Sequence, residues 1–185
     1  MKKTVQDILM HDHTCLIFKN QTEFFHCAIP FLRDGINKNE KCLLVLDDIT
    51  REDAIRYFKY IFKDEIFNLQ KVLSYITIES FKNLYFPDNK FNLERNLKMY
   101  LTAVKKAVTE EGFTGVRVFA EVSSTLQNRI NLEEFYLYEA EVDKCFKNNK
   151  FLAVCAYNKK LFSDEYVSQI INVHPVEIDV INTRL

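Results

Sequence analysis

Short apolar runs alternate along this chain with longer segments of helical spacing, and that alternation restricts the fold more than any other feature. The runs are Cys15 to Phe18, Cys42 to Leu46, Val72 to Ile78, Val116 to Phe119, Phe151 to Ala156 and Val176 to Ile181. They are rich in β-branched and aromatic side chains, as strands buried on both faces are. Strand-helix alternation predicts an α/β fold, a three-layer sandwich with a mostly parallel central sheet and helices on both sides. The direction of the last strand stays open.

Between the runs, helices are predicted over Thr22 to Asn37, Arg51 to Phe62, Asn92 to Glu111, Leu132 to Phe146 and Asp164 to Val173. The Asn92 to Glu111 segment is the clearest, with Leu93, Leu97, Leu101, Val104 and Val108 recurring every three or four residues. Thr50, Asn131 and Ser163 each precede a first turn rich in acids, the pattern of an N-cap. Gly35 and Gly112 suit helix C-termini, although Gly35 also fits one turn inside. At 185 residues, 48% of them apolar, the chain can bury one core. Residues 13–185 are read as a single domain and residues 1–12 as an N-terminal extension.

The formal net charge is -1, with acids and bases interspersed, so no basic patch points to nucleic acid or an anionic membrane surface. No segment has the length of apolar residues needed for a signal peptide or a membrane span, and a cytoplasmic location is expected. The five cysteines are then reduced; burial accounts for them unless two or more converge beside His13 or Glu40.

The turn after the first strand, Phe18-Lys19-Asn20-Gln21-Thr22-Glu23, has no glycine, and neither GxxxxGK[ST] nor GxGxxG occurs anywhere. Backbone N–H groups therefore have no cradle for phosphates, and neither a nucleotide nor a dinucleotide cofactor is expected. Glu121 closes the run Val116 to Ala120, at the strand tip where a Walker-B acid would stand. It is read either as a ligand-facing acceptor or as a carboxylate pairing with Arg117 or capping the next turn through Ser123 and Ser124. His11 and His13 flank Asp12, but two ligands do not make a metal site, and His13 is read as structural. His174, before Pro175, is explained by a helix end. Phe18, Phe119 and Tyr157, near strand tips, are candidates to wall a pocket for a small apolar molecule. No catalytic constellation emerges, and an enzyme is not expected.

Several blocks occur in a telling order: His13-Thr14-Cys15-Leu16-Ile17-Phe18, Gly35 to Cys42, Tyr85 to Phe91, Gly115 to Glu121, Tyr138-Glu139-Ala140, Val154 to Tyr157, and His174-Pro175. Together they resemble the MEDS domain, the methanogen and methylotroph sensory domain, over nearly the whole chain. The resemblance implies a RecA/KaiC-like fold without Walker A and a role in sensing small hydrocarbon derivatives. It places His13, Glu40, Arg117, Glu121, Glu139, Cys155, Tyr157 and His174 at signature positions. The family often has Gly-Glu-Met and then Trp where this chain has Ala120-Glu121-Val122-Ser123-Ser124, and Tyr in place of Phe18. The function expected is small-molecule sensing, with Phe18, Arg117, Phe119, Glu121 and Tyr157 as ligand contacts at the C-terminal edge of the sheet. Output would pass to a separate kinase or transcription regulator, through self-association, or through a further part of a longer protein. The alternatives are a protein-interaction module without a ligand and a degenerate nucleotide-binding protein.

Overall fold

A computed structural model describes residues 1–61 and 74–183. The strands are β1 (Lys2–Lys3), β2 (His13–Phe18), β3 (Lys41–Leu46), β4 (Ile76–Ser80), β5 (Val116–Glu121), β6 (Phe151–Asn158) and β7 (Val176–Ile178). They form one sheet in the order β1-β7-β2-β6-β5-β3-β4, parallel throughout. The last strand is therefore parallel. The beginning of the Val72 to Ile78 run and the end of the Arg51 to Phe62 helix lie outside the described residues.

The helices are α1 (Gln21–Asn37), α2 (Arg51–Ile61), α3 (Phe81–Tyr85), α4 (Leu93–Thr109), α5 (Ser124–Arg129), α6 (Leu132–Lys147) and α7 (Asp164–Val173). Connections running from β2 towards β4 put α1 and α2 on one face, and those returning from β4 towards β7 put α3, α4, α6 and α7 on the other. This division is what right-handed crossovers require when the direction of travel along the sheet reverses. Two cores result. Phe18, Phe24, Phe31 and Phe119 interlock edge to face beneath α1, and Phe135, Tyr138, Phe146 and Phe151 fill the space beneath α6.

Local chemistry sets the ends of the helices. Thr50 Oγ1, Asn131 Oδ1 and Ser163 Oγ accept the backbone N–H groups of Asp53, Glu134 and Tyr166, so all three caps form as the sequence predicts. Asn20 and Asn92 do the same for α1 and α4. In α4 the buried face is Asn96, Tyr100, Val104 and Ala107, while Leu101 is exposed. The leucine stripe is thus rotated from its expected position. Asn96 and Tyr100 can go inside because Asn96 Nδ2 donates to the Tyr85 carbonyl and the two tyrosine hydroxyls pair with each other.

Residues 1–12 also carry structure. Lys2 and Lys3 pair with Glu177 and Ile178, and Val5 and Ile8 are buried in the α1-side core.

Candidate functional site

The connections leaving the neighbouring strands β3 and β5 go to opposite faces of the sheet, and in an open parallel sheet a ligand crevice forms at such a place. Here it is braced shut. Glu121 Oε2 accepts the backbone N–H groups of Asp47 (2.8 Å) and Ile49 (3.1 Å) in the β3 loop. In return Asp47 accepts the N–H groups of Ser123 and Thr125, and Ser124 Oγ donates to Asp48. Glu121 is 1% exposed. Burial raises its carboxyl from 4.5 to about 7, against the pull of the two N–H groups. An open depression of about 320 Å³ lies nearby, lined by Asp47, Thr50, Arg51 and Glu79 among others. Glu121, Phe18, Phe119 and Tyr157 are not among its lining residues.

Arg117 does not join Glu121. It stands at the other end of β5, 2% exposed, with Nε on Glu40 Oε2 (2.6 Å), Nη1 on the Phe31 carbonyl (2.6 Å) and Nη2 on Asp34 Oδ2 (2.8 Å). Its guanidinium also lies 4.6 Å from the centre of the Phe31 ring. The expected joint anchoring of a ligand by Arg117 and Glu121 is thus replaced by two separate structural devices. Phe18 and Phe119 are core residues on the α1 side, and Tyr157 faces the opposite layer. The five expected contacts do not share a pocket.

Four of the other signature residues converge in space. His13 opens β2, Cys155 lies in the adjacent β6, Glu139 descends from α6, and His174 caps the C-terminus of α7. One ligand atom from each lies within 4.8 Å of every other. Glu139 Oε2 is 3.1 Å from His13 Nε2 and 3.3 Å from His174 Nε2, and Cys155 Sγ is 3.5 Å from His13 Nε2. The Tyr157 hydroxyl donates to the other oxygen, Glu139 Oε1, at 3.3 Å. His174 Nδ1–H donates to the Ile170 carbonyl at 2.8 Å, which turns Nε2 towards Glu139. Glu40 is not part of this group and pairs with Arg117. His11 stays apart, with Nδ1 on the Phe146 carbonyl.

The electrostatics are those of an enclosed centre. Burial pushes the Glu139 carboxyl up, but the imidazoles of His174 and His13 outweigh that and hold it down at about 2. Burial lowers the pKa of His13, partly offset by Glu139, and raises the Cys155 thiol well above its ordinary value. Despite the short distances, Glu139 Oε2 and His174 Nε2 have no hydrogen-bond partner among the described residues. Cys15, Cys27 and Cys42 are pushed to about 12 by burial and are inert core thiols.

Glu139 and Cys155 also line an enclosed cavity of about 20 Å³, between β5, β6 and helices α3, α4 and α6. Its other walls are apolar or aromatic, including Tyr85, Tyr100, Phe135 and Tyr138. As it stands, that is room for about one water molecule. At the opposite candidate, the turn after β2, Asn20 Oδ1 accepts Glu23 N–H and Glu23 Oε2 accepts Lys19 N–H at 2.8 Å. The backbone N–H groups of Lys19 and Glu23 are thus satisfied by the chain's own side-chain oxygens.

Fold and site together define the class: a three-layer α/β domain with a polar centre enclosed between sheet and helices. Comparison of sequences narrows this further. The family model for MEDS, the methanogen/methylotroph, DcmR sensory domain, matches residues 12–175, and the chain belongs to that family of sensory domains. A search of the curated proteins finds no match.

Proposed function

We propose that this domain senses a small organic molecule, which it takes up in the aromatic cavity beside Glu139, and that it signals through a separate output protein. The observation that carries this reading is the cavity itself, a largely apolar and aromatic wall with one carboxylate, one thiol and the tyrosines Tyr85, Tyr100 and Tyr138 as its polar groups. Ligand sites commonly join an apolar wall to a few orienting polar groups. Family membership supports sensing, and the lack of a glycine-rich phosphate motif in the sequence favours a small organic ligand over a nucleotide. At its present volume the cavity admits a ligand only when rings of α3 and α4 part from α6. Such a ligand would reposition those helices, which is how an event inside the domain reaches its surface.

A thermal-shift screen with short alcohols, amines and halocarbons tests the reading. A molecule at a hundred times its dissociation constant adds about 2.7 kcal/mol of stability. Ala153→Val, which adds bulk to the cavity wall, should abolish the response, whereas Phe18→Leu in the other core should keep it. A response unaffected by Ala153→Val would place the ligand elsewhere, and no response to any compound would sink the proposal.

A further inference from the structure

The atoms around Glu139 Oε2 present a problem of charge. His174 uses its Nδ1–H as donor to the Ile170 carbonyl, so in the neutral ring Nε2 carries a bare lone pair. That lone pair lies 3.3 Å from a carboxylate oxygen that is also without a hydrogen-bond donor, and both are fully enclosed. Two facing acceptors in a low-dielectric interior repel each other unless a positive charge sits between them. His13 Nε2 and Cys155 Sγ complete the same small volume.

We propose that His13 Nε2, Glu139 Oε2, Cys155 Sγ and His174 Nε2 bind a divalent transition ion of the zinc class. In a tetrahedral zinc site with bonds of about 2.0–2.3 Å, neighbouring ligand atoms are about 3.3–3.8 Å apart. Three of the six separations, 3.1, 3.3 and 3.5 Å, lie close to that requirement, and all six fall within 4.8 Å, so the four atoms must draw together modestly around an ion. The donor set also selects the ion. Two imidazoles, one thiolate and one carboxylate suit zinc, whereas magnesium and calcium take oxygen ligands. Charge balances as well: a thiolate and a carboxylate neutralise a dication, so the loaded centre adds no net charge to the interior. On binding, the Cys155 thiol releases its proton to solvent and a sulfur–metal bond forms without redox change.

The surrounding contacts match those that hold metal ligands in place. The Ile170 carbonyl fixes the His174 ring, and the Tyr157 hydroxyl holds the carboxylate by its other oxygen. His13 Nδ1 is buried without a partner among the described residues whichever charge occupies the centre, so it does not discriminate between ion and proton. The sequence suggested no metal because His13, Glu139, Cys155 and His174 are distant along the chain, and only the packing of α6 and α7 on the sheet unites them.

The test uses the full chain, free of any histidine tag and stripped with a chelator, titrated with Zn²⁺ or Co²⁺ alone. Elemental analysis should find about one ion per chain, and Co²⁺ should produce a thiolate-to-metal charge-transfer band that is lost in Cys155→Ser and His174→Gln. Far-UV circular dichroism checks that these variants fold. Should they not, X-ray absorption of the zinc-loaded wild type reads the ligands directly, with one sulfur and three lighter atoms expected. Failure to retain stoichiometric ion, or a first shell without sulfur, overturns the proposal and leaves a proton on histidine as the buried charge. The inference is independent of the sensory reading, because no organic molecule enters the experiment.

Discussion

Gly35 shows how one position is fixed by a contact distant in sequence. A Cβ built there would lie 2.7 Å from Arg117 Cδ and Cys42 Sγ and 2.8 Å from Arg117 Nε. The glycine sits in the last turns of α1, so it is chosen for the closeness of the arginine and not for a left-handed helix end. Arg117 cannot yield, since Glu40, Asp34 and the Phe31 carbonyl hold its guanidinium on three sides. Gly35→Ala should therefore cost about 1–3 kcal/mol through overpacking, although alanine is the better helix former. Chemical denaturation of both proteins measures it, and an alanine variant as stable as wild type would show that the arginine moves aside. Little of this was legible beforehand. An arginine in a β-strand reads as an exposed or ligand-facing charge, because nothing local announces that its partners will come from another helix and loop.

At the level of elements, the strands and caps were legible and the edges of the sheet were not. Runs such as Phe151 to Ala156 are apolar on both faces whatever surrounds them, and the Thr50, Asn131 and Ser163 caps act within three residues. β1, by contrast, is two lysines that become a strand only because β7 offers a free edge. The packing of its connection follows from that pairing. Ile8, 2% exposed, and Val5, 1% exposed, seat the segment against α1. Ile8→Ala should destabilise the whole domain by about 2–5 kcal/mol, as for a core residue. If residues 1–12 were a loosely attached arm, the substitution would leave the cooperative thermal transition where it was. The candidate site failed to show in the sequence for a related reason: its four side chains come from two strands, a helix and a helix end, and each has an adequate local explanation when taken alone.

For the molecule as a whole, the brace between the ends of β3 and β5 couples stability to pH. Glu121 holds its proton more tightly folded than unfolded, because burial raises it from 4.5 to about 7. The folded state then binds more protons than the unfolded state across that window, and stability falls as pH rises through it. Its contribution is complete below about pH 4.5, is lost progressively towards neutrality and is flat above about pH 8. The full loss is about 3 kcal/mol. Asp47, also raised by burial, lies in the same network and adds a slope of the same sign beginning at lower pH. Glu121→Gln isolates the first component, since the amide oxygen can accept the Asp47 and Ile49 N–H groups without titrating. Denaturant midpoints of wild type and Glu121→Gln, measured from pH 4.5 to 8, should draw apart in favour of the variant as pH rises. Parallel curves would mean that Glu121 ionises at its ordinary pH in the folded protein, with the loop N–H groups outweighing its burial. The comparison also bears on where a ligand can act. A carboxyl group engaged by two loop N–H groups is a clamp between strand ends, already occupied by the protein's own backbone.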